Sequence, residues 1–147
     1  MSIEPPAQLA LRAEMSELDR LRSWLEALCE LHQLPARLAF QLDICLTELV
    51  TNVISYGYPD KQPPAQAVAV QFARNPAEVV VEILDQGVEF DPLAYVPAPQ
   101  ARTLEEAQIG GRGLLLVRQF AGQLHYRREP GRNRVILIFA APPGTLC

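Results

Sequence analysis

The sequence predicts an α+β fold: a two-layer sandwich with helices on one face of a mainly antiparallel sheet. Three observations lead there. Two consecutive segments between residues 17 and 56 carry apolar side chains at the helical spacing of three and four. Two pairs of alternating segments, 66–73 with 78–85 and 123–129 with 132–140, are each joined by a turn signal. One long loop and one further helix separate those pairs, and no internal repeat is present.

Residues 7–12 alternate weakly and form the first strand of this reading. Ser16-Glu17-Leu18-Asp19 has the form of a capping box, with a hydroxyl followed three residues later by an acid. Leu18, Leu21, Leu25, Leu28 and Leu31 then define an amphipathic helix over 17–32, which Leu34-Pro35 ends. A second helix starts near Ala36 and carries Leu38, Leu42, Cys45, Leu46, Leu49, Val53 and Ile54, with Gly57 after its end and Pro59 blocking continuation.

Val68, Val70 and Phe72 alternate in one strand and Val79, Val81 and Ile83 in the next, with Asn75-Pro76 as the turn between them. After Asp85 the character changes. Residues 86–112 hold three glycines, three prolines and only a short helical candidate at Thr103–Ala107. A loop of this length in a compact domain is functional or mobile as a rule. Gly113–Ala121 reads as a third helix, and the last two strands meet at Pro130-Gly131, a pair suited to a type II turn.

The chain has 147 residues, enough for one domain with a sizeable core. Thirteen basic against seventeen acidic residues leave a net charge of −4, which argues against nucleic acid or an anionic membrane as a partner. No run reaches the roughly 18 apolar residues of a membrane span. The start Met1-Ser2-Ile3-Glu4-Pro5-Pro6 lacks the basic and apolar regions of a signal peptide, so the cytoplasm is the expected address. Cys29, Cys45 and Cys147 have no paired spacing, and the first two sit in helical apolar patterns as core thiols.

Three features carry chemistry. Glu48 and Asn52 stand four apart on the second helix and project from one face among Leu46, Leu49, Val50 and Val53. Asp85-Gln86-Gly87 follows an apolar strand; a carboxylate there can accept from an exocyclic amine, and a glycine lets a ring approach. Gly110-Gly111-Arg112-Gly113 opens a helix, where free backbone N–H groups and the helix dipole favour an anion. Taken singly, each also fits a plainer role: a polar helix edge, a turn after a strand, a glycine-rich loop. The glycines match neither the Walker pattern nor the dinucleotide fingerprint.

Taken in order, Glu48-x-x-x-Asn52, Asp85-x-Gly87 and Gly111-x-Gly113 resemble the N box and the two glycine boxes of the GHKL (gyrase and histidine-kinase type, Bergerat-fold) ATPases. Residues 48–58 and Gly111-Arg112-Gly113-Leu114 look most like the small serine-protein kinases of that superfamily that act as anti-sigma factors. The resemblance covers about residues 7–140. It implies ATP and Mg²⁺ as cofactors, with Asn52 holding the metal and Glu48 as the general base. Asp85 would bind the adenine amine, Gly87 would give the ring room, and Gly111, Arg112 and Gly113 would meet the phosphates under a lid of residues 92–109.

The implied activity is a serine/threonine protein kinase that phosphorylates a STAS-type anti-anti-sigma protein and, when free, holds a sigma factor or another regulator. The first helix is the candidate interface of a homodimer. Two other functions fit the same residues: a nucleotide-binding switch without kinase activity, and an interaction domain that retains only the fold. The chain departs from the family pattern in three places. Glu89 stands where many relatives have a second glycine, Asn133 replaces a supporting threonine, and Gln108-Ile109 replaces a basic residue before Gly-x-Gly, leaving Arg112 as the cation. A cluster of arginines at 112, 118, 127, 128, 132 and 134 fits either a solvated face or contacts to phosphate or an acidic partner.

Overall fold

A computed structural model describes residues 6–93 and 111–141, apart from the side chains of 111–113. The strands are β1 (Ala7–Leu11), β2 (Val68–Arg74), β3 (Glu78–Asp85), β4 (Gln123–Glu129) and β5 (Arg132–Ala140). The α-helices are α1 (Leu18–Leu31), α2 (Ala36–Tyr56) and α3 (Gly111–Phe120). The sheet runs β1-β2-β3-β5-β4, and every neighbouring pair is antiparallel. The expected α+β sandwich is therefore present.

Alternation along the strands explains the two faces of the sheet. Val68, Val70 and Phe72, Val79, Val81 and Ile83, and Val135, Leu137 and Phe139 are buried in one core with Leu21 and Leu25 of α1 and Leu42, Leu46 and Val50 of α2. Leu114 and Val117 of α3 complete it. On the opposite face Arg134 pairs with Glu82 and, at 3.0 Å, with Glu129. Arg74 clasps the turn after β2, donating to the carbonyls of Asn75 (2.9 Å) and Ala141 (2.6 Å). Asn75 Oδ1 accepts from the N–H groups of Ala77 and Glu78, so the Asn-Pro turn is an Asx-type turn.

Several expectations are corrected. The capping box does not form: Met15–Glu17 is a 3₁₀ turn, no side chain caps α1, and the Glu17 carboxylate instead accepts from Arg12 N–H and Arg20. The third helix begins at Gly111, two residues before the expected start. By length and mean hydropathy α2, at 21 residues, is apolar enough to cross a membrane, although Arg37, Asp43 and Glu48 interrupt any continuous apolar run in it. In the fold it is the central core helix. The lid beyond Leu93, the helical candidate at 103–107 and Gly110 lie outside the described residues.

Candidate functional site

The site is built where the C-terminal half of α2 meets the end of β3. Gly57 ends α2, and its carbonyl accepts from Val88 N–H at 2.9 Å. Gly87 is forced by that contact: a Cβ at this position would collide with the Gly57 carbonyl. Tyr58 adds a second clasp, donating to Ala67 O at 2.6 Å and accepting from Gln86 N–H at 3.0 Å. Burial pushes its phenol up. Helix and strand end are thus locked before any side chain acts on a ligand.

Asp85 is the last residue of β3 and is 7% exposed. Its Oδ1 accepts from Gly87 N–H and from Asn133 Nδ2, each at 2.9 Å. The pairing of β3 with β5 sets Asp85 directly opposite Asn133. Burial raises the Asp85 carboxyl above its ordinary range, against the opposing pull of those two donors and of the Arg128 charge. A buried carboxylate with a raised affinity for protons, whose second oxygen has no hydrogen bond among the described residues, is an acceptor suited to a ligand's donor.

Asp85 shares a cavity with Asn52 and Asn133. Its walls are otherwise mostly apolar, with Leu49 and Val53 from α2, Ile83 from β3, Val88 and Phe90 from the segment after it, and Val135 from β5, and Tyr56 adds a phenol. A few polar groups in an apolar cleft suit a flat heterocycle that needs orientation. Gly87 does not line this cavity. It makes the close backbone approach to Gly57 and lines the adjoining cleft with Tyr58, Gln86 and Arg128. Glu48 is half-buried one turn before Asn52 and also stands outside the cavity lining.

Asn52 carries the test of a metal. Its Nδ2 is buried without a hydrogen-bond partner among the described residues. An orphaned buried amide nitrogen costs about 1–3 kcal/mol, a loss that a hydrogen-bond acceptor on a ligand would recover and a cation would not; a metal would engage Oδ1 instead. An amide oxygen is a hard donor suited to Mg²⁺, which takes few protein ligands when phosphates and water supply the rest. Asn52 fits the ion.

The helix α3 starts at Gly111, leaving the N–H groups of its first turn without helical partners. Arg118 ties α3 to the segment after β3 through the carbonyls of Pro92 (3.3 Å) and Leu93. The arginine cluster is otherwise engaged internally. Arg128 donates to Gly87 O at 2.9 Å, Arg132 pairs with Glu129 at 2.5 Å, and Arg134 pairs with Glu129 and Glu82. Arg127 is exposed, and the Arg112 side chain lies outside the described residues. For Arg128, Arg132 and Arg134 the contacts shown hold the last hairpin together and tie it to the turn after β3.

The discounted residues hold as structural. His32 stacks near Phe72 with ring centroids 5.4 Å apart, and His125 meets Gln123 on the outer strand. Cys29 and Cys45 are buried and free; burial pushes the Cys45 thiol up to about 12, an inert group. Sequence reasoning did not reach the contacts of Tyr58, Tyr126 and Arg128 at the site. No local motif marks them, because their partners are supplied by strand register and by the turn after β3.

The model of the histidine kinase-like ATPase domain matches residues 11–139. The serine/threonine-protein kinase BtrW of Bordetella bronchiseptica is 35% identical over 120 residues, covering 82% of this chain and 83% of that protein. The solved RsbU and RsbW domains of Rv1364c from Mycobacterium tuberculosis match 95% of this chain with a TM-score of 0.68 at 15% identity. That likeness is one of fold, and this chain spans 34% of that longer one. The boxes around Asn52 and Asp85, the sheet order and the family match converge: the chain belongs to the histidine kinase-like ATPase domain family, the GHKL type that includes small serine/threonine-protein kinases.

Proposed function

We propose that this chain is a cytoplasmic, Mg²⁺·ATP-dependent serine/threonine protein kinase of the partner-switching type. Its substrate is a serine of a STAS-type anti-anti-sigma protein, and in its other state it holds a sigma factor or similar regulator. The observation that carries the reading is the cavity that Asp85 and Asn52 share, which offers a carboxylate acceptor and a buried amide whose Nδ2 is unpaired among the described residues. The 35% identity to a serine/threonine-protein kinase over most of both chains supports the same activity.

In this reading Asp85 accepts from the adenine amine while the apolar walls hold the ring. Asn52 holds Mg²⁺, which neutralises charge on the phosphates when bound. Glu48, a turn away on the same helix face, takes the proton from the attacking serine hydroxyl. The serine oxygen bonds to the γ-phosphorus as the β–γ bridging bond breaks, and ADP leaves with that electron pair. Positioning and charge supply most of the catalysis in phosphoryl transfer, so these few groups suffice.

The test is transfer of ³²P from γ-labelled ATP to a STAS-type partner, alongside calorimetric ATP binding. Glu48→Gln is expected to bind ATP like wild type and lose at least about a hundredfold in transfer. Asn52→Ala is expected to lose Mg²⁺-dependent binding and transfer together. Saturable ATP binding with no transfer to any partner serine would instead favour the binding switch.

A further inference from the structure

The segment after β3 walls the cavity and is fastened at two ends. Near its start, Val88 O accepts from Asn133 Nδ2 at 2.7 Å and Phe90 N–H donates to Asn133 Oδ1 at 3.4 Å, so this end is held to β5. Its far end is held to a different element. Arg118 of α3 donates through Nη2 to Pro92 O at 3.3 Å and to Leu93 O. Pro92 is buried and lines the cavity beside Asp85 and Asn52.

Local chemistry presents those two consecutive carbonyls to one guanidinium. Asp91 Oδ1 accepts from Leu93 N–H at 2.8 Å, an Asx turn that bends the chain, and the Pro92 ring fixes φ inside it. On α3, Leu114 and Val117 are buried in the core, which seats the helix and leaves Arg118 at its rim. Arg118 stands seven residues after Gly111, about 10 Å along a helix axis. A helix of this length carries a displacement from one end to the other as a rigid element.

We infer that Arg118 is a positioning residue that couples the two ends of the nucleotide site: it ties the start of α3, which faces the phosphates, to the Pro92 wall that encloses the base. The inference rests on the nucleotide reading above and deepens it. Phosphate drawn onto the free N–H groups at the start of α3 sets the position of that helix. The Arg118 contacts then carry the Asp91–Leu93 turn, and Pro92 with it, against the base. Arg118 does not itself line the cavity, so its effect on the base passes through the wall. Coupling of this kind is reciprocal: base and phosphates strengthen each other's binding by the same factor.

The experiment measures dissociation constants for Mg²⁺·ADP by calorimetry and for adenosine by competition. It uses wild type, Arg118→Gln, Asp91→Ala and Asp91→Asn, with thermal unfolding of each. The quantity read is the preference for ADP over adenosine, the gain from adding phosphates to the base. A role in stability alone lowers the melting temperature and leaves that ratio unchanged. The ratio is expected to fall about fivefold or more in Arg118→Gln and in Asp91→Ala, as coupled sites do when the link is cut. Asn keeps the carbonyl acceptor of the Asx turn, so Asp91→Asn is expected to keep the wild-type ratio. The Asp91 pair also separates positioning from charge. Both variants lose the same negative charge, which through space would favour the phosphates in both alike. A ratio unchanged in either Arg118→Gln or Asp91→Ala, or one shifted alike by Asp91→Ala and Asp91→Asn, overturns this inference and leaves nucleotide binding in place. Should Arg118→Gln not fold, the Asp91 pair decides. Wild type that binds no ADP overturns the nucleotide reading itself.

Discussion

Asp85, the residue proposed to bind the base, opposes stability. Its folded carboxyl is raised above the ordinary value of 3.8, first by burial, so the native state holds a proton more tightly than the unfolded chain does. Stability is therefore lost as pH rises from near the ordinary value through the raised folded one, and it is fully present below that window. Asp85→Asn removes the ionisation and can keep the contacts of Gly87 N–H and Asn133 Nδ2 through its amide oxygen. The variant is expected to be more stable than wild type at pH 7, with the difference vanishing near pH 3 in urea melts followed by circular dichroism. Its amide nitrogen would face the adenine amine donor with donor, so ATP affinity is expected to fall at least about tenfold. A variant equally stable across pH would show that the carboxylate is not strained by its site. Asn52 fits the same pattern, since its buried Nδ2 goes unpaired among the described residues in the absence of ligand. Both residues were legible in the sequence, because a carboxylate after an apolar strand and an amide one helical turn from Glu48 are local patterns.

Elements, rather than single side chains, bring those residues together. The join between α2 and the end of β3 consists of Gly57 O with Val88 N–H, the Tyr58 hydroxyl between Ala67 and Gln86, and the bare Cα of Gly87. Gly87→Ala is expected to cost about 1–3 kcal/mol, because the new methyl must displace the Gly57 carbonyl and its hydrogen bond. ATP affinity should fall with it. Gly131 supplies the contrast. It sits at φ 75° with nothing near a Cβ, so Gly131→Ala is expected to cost about 1–2 kcal/mol for the left-handed backbone alone. Affinity should then stay at the wild-type value. Chemical denaturation and calorimetry on the two variants separate a glycine needed for a close approach from one needed for a turn. The sequence marked both glycines but not that difference, since the Gly57 carbonyl reaches Gly87 only after α2 and β3 have packed. The failed capping box has the same origin: the Glu17 carboxylate is drawn to Arg12 and Arg20, and Ser16 falls inside a 3₁₀ turn.

At the scale of the molecule, hydrophobic period made the layers and most strand pairs legible, because each element states its own buried face. The placement of β5 between β3 and β4 was not legible, and that crossover puts Asn133 opposite Asp85 and carries Tyr126 and Arg128 to the site. The cavity consequently draws its walls from three separate stretches: 49–57, 83–92 and 133–135. A ligand filling it must tie those stretches together, while β1 at the far edge of the sheet gains no contact. Hydrogen exchange is expected to report this directly. Saturating Mg²⁺·ATP should slow exchange in the second half of α2, in residues 85–92 and in the start of β5, leaving β1 and α1 unchanged. At a hundred times the dissociation constant the linkage amounts to about 2.7 kcal/mol. Local openings in the cavity walls should therefore slow by up to about a hundredfold, whereas segments that never touch the ligand keep their own local rates. Protection confined to α1 and β1 would place the nucleotide elsewhere and remove the basis for assigning Asp85 and Asn52 to it.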